Sequence, residues 1–176
     1  MCEARRGSAR NASMFDDVLD ANRLYTKSFR LEGLQARAAR GLAVVTCIDS
    51  RIEPLAMLGL EPGDAKILRN AGARVTDDVL RSLIIATNLL GVDRVCIVGH
   101  TDCAMTKKTD DELGAAIAEQ RGGDVSGWRW ETVADQEAVL ATDIARVRDC
   151  PLIAPDVEVG GFVYDVHTGL LDPRPL

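Results

Sequence analysis

Three short strand-like runs, the first of them apolar and β-branched, constrain the fold more than anything else in this chain. They are 42–47 (LAVVTC), 66–69 (KILR) and 94–99 (RVCIVG). Each is too short for a buried helix and reads as a strand covered on both faces, the pattern of a parallel sheet. Helical patterns separate them. Residues 56–60 form a short helical stretch closed by the turn Glu61-Pro62-Gly63-Asp64. Residues 77–90 predict a strong helix: Thr76 caps it, Asp77 and Asp78 suit its positive end, and Gly91 follows it. Thr109 and Glu112 form a capping-box pattern for a helix to about residue 119. Residues 132–148 predict another amphipathic helix, and 161–166 a last strand turned by His167-Thr168-Gly169. At the front, Phe15, Val18, Leu19, Tyr25 and Phe29 recur at mostly helical spacing and suggest an amphipathic arm. Strands alternating with helices predict a single α/β domain with a mostly parallel central sheet flanked by helices. Its last strand is expected to be antiparallel at the edge.

The length of 176 residues suits one compact domain, and a net charge of -6 argues against a binder of nucleic-acid phosphates. No apolar run approaches the roughly 20 residues of a membrane-spanning helix. Residues 1–13 are Arg-rich and have no apolar centre, unlike a secretory signal; they read as a disordered lead to a domain over 14–176. Five cysteines are an odd number, which does not suit a full disulfide framework and points to a reducing cytoplasm. With only two histidines, a metal site would have to use sulfur or carboxylate.

The chemistry collects at strand ends, where open parallel sheets place their sites. Strand 42–47 ends on Cys47, followed by Asp49 and Arg51 in Cys-Ile-Asp-Ser-Arg. Strand 94–99 runs into His100, with Cys103 three residues later. Parallel strands present these ends on one edge, so Cys47, His100 and Cys103 can converge. Two thiolates and an imidazole suit Zn²⁺, and three protein ligands leave one position open, as in catalytic zinc sites. Zinc acidifies a water there and supplies hydroxide near neutral pH. Asp49 can orient that nucleophile, while Arg51 can hold Asp49 in a bidentate pair and keep it off the metal. Cys96, inside a strand, is expected to point into the core. Cys2, Cys150 and His167 read as spectators, Asp102 as a turn residue, and Trp128 and Trp130 as packing or interface anchors.

Cys47-x-Asp49-x-Arg51 with His100-x-x-Cys103 resembles the β-class carbonic anhydrases. Arg69-Asn70-Ala71-Gly72 resembles the segment between those motifs in that family. Val75-Thr76-Asp77-Asp78 and Gly99-His100-Thr101-Asp102-Cys103 resemble its short bacterial, actinobacterial-type branch. The resemblance spans about residues 15 to 171. It implies one Zn²⁺ per chain on Cys47, His100 and Cys103, an Asp49–Arg51 dyad, and reversible hydration of carbon dioxide to bicarbonate and a proton. It also implies a homodimer or homotetramer in which the N-terminal helix embraces the partner. The substrate pocket is expected to include Ala71, Gly72 and Ala104. Two positions depart from the family pattern: Ala38 stands where plant-type members carry a pocket glutamine, and Ala104 where relatives usually have glycine. If the backbone at 104 needs positive φ, alanine is strained there. The same resemblance admits hydrolysis of carbonyl sulfide or carbon disulfide. A different class of reading is a closed zinc-binding protein with Asp49 as fourth ligand.

Overall fold

The computed structural model describes residues 14–175. They divide into an N-terminal unit, ending at Leu34, and a main unit that begins at Gln35. The N-terminal unit carries α1 (Asp16–Thr26), with Asp16 and Asp17 in its first turn and no buried residue. Phe15, Val18, Leu19 and Tyr25 are all exposed. The disordered lead expected over 1–13 lies outside the described residues.

The main unit is a five-stranded sheet in the order β2-β1-β3-β4-β5. Its strands are β1 (Leu42–Cys47), β2 (Ala65–Asn70), β3 (Arg94–His100), β4 (Glu158–Tyr164) and β5 (Leu171–Arg174). β1 pairs in parallel with β2 and β3, β3 pairs in parallel with β4, and β4 pairs antiparallel with β5. The helices are α2 (Pro54–Met57), α3 (Asp77–Leu89), α4 (Asp110–Arg121) and α5 (Gln136–Arg148).

Every residue of β1 is buried. Strand alternation divides its side chains between two cores. Ala43 and Val45 join Ile97 and Val95 in a layer with Val79 and Leu83 of α3 and Leu140, Ile144 and Val147 of α5. Leu42 and Val44 join Val98 and Leu60 on the other face. The one hydroxyl in β1 is satisfied: Thr46 Oγ1 donates to the Val98 carbonyl at 3.1 Å. Cys96 is partly buried against the second layer and Cys150 against the first.

Several local expectations hold, with shifted ends. Thr76 Oγ1 accepts from the Val79 N–H at the start of α3, and α4 begins with the reciprocal Thr109–Glu112 capping box. α5 starts at Gln136 rather than 132, because Asp135 caps it through the Glu137 and Ala138 N–H groups. The preceding residues are drawn elsewhere: the Asp110 carboxylate accepts from the Trp130, Glu131 and Thr132 N–H groups and from Thr132 Oγ1. The strand expected over 161–166 runs over 158–164 and is parallel; the antiparallel edge strand is β5 beyond it.

The chain order reverses around β1. It passes from β1 to β2 on one side, then to β3 on the other. That reversal opens a crevice beyond the carboxyl ends of β1 and β3, the place where open α/β sheets hold ligands.

Candidate metal centre

Cys47 closes β1, His100 closes β3, and Cys103 follows three residues after His100. All three are buried, and their ligand atoms lie within 4.8 Å of one another. The sheet register brings them there: Thr46 is level with Val98, so the next positions of both strands emerge on the same edge.

His100 Nδ1 lies 2.9 Å from the Thr101 carbonyl. A carbonyl only accepts, so the ring proton sits on Nδ1 and Nε2 keeps its lone pair. That Nε2 is buried and has no hydrogen-bond partner. Leaving a buried polar atom unsatisfied costs about 1–3 kcal/mol. An orphaned imidazole nitrogen facing two sulfurs is explained by a soft divalent cation that takes all three donors, and zinc fits the set.

One of the two sulfurs is prepared for charge. Cys47 is held well below the usual thiol range, chiefly because the Cys103 thiol donates to its sulfur; burial opposes this, and the neighbouring His100 ring and then the Gly72 N–H assist. That N–H lies 3.4 Å from Cys47 Sγ. Cys103 is pushed up by being the donor of the pair and by burial.

The Arg69-Asn70-Ala71-Gly72 segment builds the wall beside Cys47. Arg69 donates to the Cys47 carbonyl at 2.9 Å and to the Asp49 carbonyl at 2.7 Å, fixing the backbone that carries both side chains. Asn70 closes the following turn by donating to the Arg74 carbonyl and accepting the Arg74 N–H. Within the turn Gly72 has φ 84°, and a Cβ there would meet Val133 Cγ2 at 3.1 Å. Glycine is therefore favoured by conformation, and a larger residue would crowd the Val133 side chain.

Asp49 is gripped by Arg51. The guanidinium Nε donates to Oδ1 at 3.0 Å and Nη2 to Oδ2 at 2.7 Å, and the Arg51 N–H donates to Oδ1 at 2.9 Å. These bonds hold the Asp49 carboxyl well below the ordinary range and raise Arg51 above its own. Asp49 Oδ2 stays 4.0 Å from His100 Nε2.

A cavity of about 20 Å³, room for about one water, adjoins two of the three donors, His100 and Cys103. Gly72, His100, Cys103, Val133, Gln136 and Asp143 contribute to its lining; Ala71 and Ala104 do not. Ala104 opens a short 3-10 turn and is not among the residues with positive φ, so no glycine is needed there. Ala38 is buried in the first core layer, and its N–H donates to the Leu90 carbonyl. A glutamine at that position would have to displace core packing.

Two residues at this site were given no part in it by the sequence. Gln136 lies over Gly99 and donates to the His100 carbonyl at 3.0 Å, holding the ligand-bearing strand end. Asp102, read as a turn residue, accepts from Arg51 Nη1 at 3.0 Å and lies 2.7 Å from Lys107 Nζ. Its carboxyl is held down at about 2, first by Lys107 and then by Arg51. Its place between His100 and Cys103 was the available signal. His167 is exposed in the turn before β5, its N–H bonded to Asp165. Trp128 and Trp130 stack at 6.1 Å.

The carbonic anhydrase family model matches residues 42–136, which includes all of these donors. The chain is 36% identical to β-carbonic anhydrase 1 of Mycobacterium tuberculosis, over 89% of this chain and 95% of the relative. A carbon disulfide hydrolase from an Acidianus species is 31% identical over 79% of this chain and 82% of its own. The solved carbonic anhydrase of Streptococcus mutans superposes with a TM-score of 0.88 at 36% identity, covering 94% of this chain and all of that one. Matching in sequence over nearly its whole length and in fold around the same strand ends, the chain belongs to the β-carbonic anhydrase family.

Proposed function

We propose that this protein is a carbonic anhydrase that reversibly hydrates carbon dioxide to bicarbonate and a proton, with Zn²⁺ held by Cys47, His100 and Cys103. One observation carries the reading: an orphaned His100 Nε2 faces two buried sulfurs, beside a carboxylate tethered 4.0 Å away. Zinc in such a tripod supplies a water acidified toward neutral pH. Asp49 orients that water by accepting its hydrogen bond. Arg51 occupies both carboxylate oxygens, so Asp49 is restrained from becoming a fourth ligand and closing the site. This favours the open over the closed zinc-binding reading. Gly72 and Val133, which line the cavity beside His100 and Cys103, offer small apolar contacts to a linear triatomic molecule. Neither histidine is placed to carry the proton away: His100 is a ligand, so solvent and buffer take it.

The carbon disulfide hydrolases among the relatives support a second reading, hydrolysis of carbonyl sulfide or carbon disulfide at the same donors. One zinc-loaded preparation separates the two. Stopped-flow carbon dioxide hydration should exceed sulfide release in specificity constant, and Cys47→Ser should lose zinc and hydration together. A higher specificity constant for carbonyl sulfide would select the second reading. Full hydration by zinc-free Cys47→Ser would refute both.

We also propose a homodimer or homotetramer, supported by the exposed apolar side chains of α1. The four described cysteines are free, which supports a reducing, cytoplasmic setting. Among the described residues, no helix is long and apolar enough to cross a membrane. We assign 14–176 to the zinc domain.

A further inference from the structure

Arg51 is the restraint on Asp49, yet little restrains Arg51 from its own loop. Its side chain is 40% exposed. A single ion pair so exposed holds a long side chain weakly, because ordering it costs entropy and water screens the charge. The structure supplies a second grip. One edge of the guanidinium, Nε and Nη2, faces Asp49. The other edge faces Asp102: Nη1 donates to Oδ2 at 3.0 Å, and Nη2 also donates to the Asp102 main-chain carbonyl at 3.1 Å.

Two features make this grip more than a crossing of surface charges. Asp102 has φ 52°, a left-handed conformation uncommon outside glycine. Its carbonyl and its carboxylate both bond Arg51. Asp102 also lies directly between the donors His100 and Cys103, so its main chain is anchored on both sides. Lys107 Nζ lies 2.7 Å from Asp102 Oδ1, on the far side of the carboxylate. Lys107, Asp102, Arg51 and Asp49 thus form a chain of alternating charge. Lys107 offsets the charge of Asp102, so Asp102 can hold Arg51 without drawing it off Asp49.

We infer that Asp102 is a positioning residue for the Asp49–Arg51 dyad, clamping the second edge of the Arg51 guanidinium so that its first edge stays on Asp49. The inference rests on the proposed reading for its catalytic consequence and on geometry alone for the clamp.

The test uses the zinc-loaded full chain and follows the Arg51 Nε–H by NMR. Asp102→Gly keeps left-handed backbone freedom and removes the carboxylate. It should speed solvent exchange of the Arg51 Nε–H about fivefold, within the range that exposed ion pairs support. Hydration kcat should fall by a similar factor with zinc content unchanged. Asp102→Asn, which keeps one acceptor oxygen and tolerates the same backbone, should fall between and covers the case in which the glycine variant folds poorly. Unchanged Arg51 exchange in either folded variant would overturn the inference, since a residue needed only for its backbone shape would leave Arg51 untouched. If exchange quickens in a protein with no hydration activity at all, the clamp stands and the proposed reaction fails.

Discussion

Two arginines in this molecule are held in almost the same way and serve opposite ends. Arg74 grips Asp143, with Nε on Oδ2 at 2.8 Å, and donates Nη1 to the Glu131 carbonyl at 2.9 Å. Arg51 grips Asp49 and donates Nη2 to the Asp102 carbonyl. In each case the accepting carbonyl belongs to a non-glycine residue with φ 52°. Burial is the difference. The side chains of Arg74 and Asp143 are 14% and 3% exposed, those of Arg51 and Asp49 40% and 17%. The inner pair ties the turn after β2 to α5 and is part of the packing. The outer pair stands partly exposed beside the donor cluster, with Asp49 Oδ2 4.0 Å from His100 Nε2. On the proposed reading, the same guanidinium fork supports stability where it is buried and orientation where it is exposed.

The largest effect should come from breaking the dry pair. Arg74→Met leaves Asp143 charged and buried, which should cost about 3–5 kcal/mol, read as a fall in the urea midpoint. A loss near zero would mean that Asp143 finds water, and the contrast between the two arginines would collapse. Arg51→Met should do the reverse. Hydration should fall about 10²-fold, the scale of a misplaced catalytic carboxylate, while zinc content and the urea midpoint stay close to wild type. A comparable loss of stability would show that both pairs are structural.

A smaller effect sharpens the same contrast at an intermediate site. Asp110 accepts three main-chain N–H groups and the Thr132 hydroxyl, which lower its pKa, Thr132 first. A carboxylate with a depressed folded pKa contributes stability that is present above its unfolded value near 3.9 and lost as pH falls through the folded value. Asp110→Asn should therefore lose about 1–2 kcal/mol at pH 7, and its deficit should shrink below about pH 3.9. A deficit independent of pH would assign the role of Asp110 to shape rather than charge.

What could be read in the sequence divides along similar lines. β1 and β3 were legible because both are covered on two faces and so appear as unbroken apolar runs. Cys47, His100 and Cys103 followed, since parallel strands deliver their ends to one edge. β5 was not legible: Leu171-Asp172-Pro173-Arg174 has no apolar alternation, and its proline is tolerated only because the strand lies at the sheet edge. The start of α5 was misplaced because Thr132 and Val133 continue its pattern, while the Asp110 carboxylate, 20 residues away or more, captures that backbone. The ion pairs were hidden for the same reason. Arg74 and Asp143 are 69 residues apart, and Arg51 and Asp102 are 51 apart. Asp143, in the middle of an amphipathic helix, looks solvated in sequence and is 2% exposed in the fold. Local pattern reports which faces are buried; it does not report which charges meet there.

The central claim is that Cys47, His100 and Cys103 hold zinc while Arg51 keeps Asp49 off it. X-ray absorption at the zinc edge of the loaded protein, near neutral pH, tests it directly, with Asp49→Asn measured alongside. The expected result is one zinc per chain with two sulfurs at about 2.3 Å and one nitrogen at about 2.0–2.1 Å, and a spectrum unchanged in Asp49→Asn. Zinc bound without sulfur, or a fourth ligand that disappears in Asp49→Asn, would contradict it.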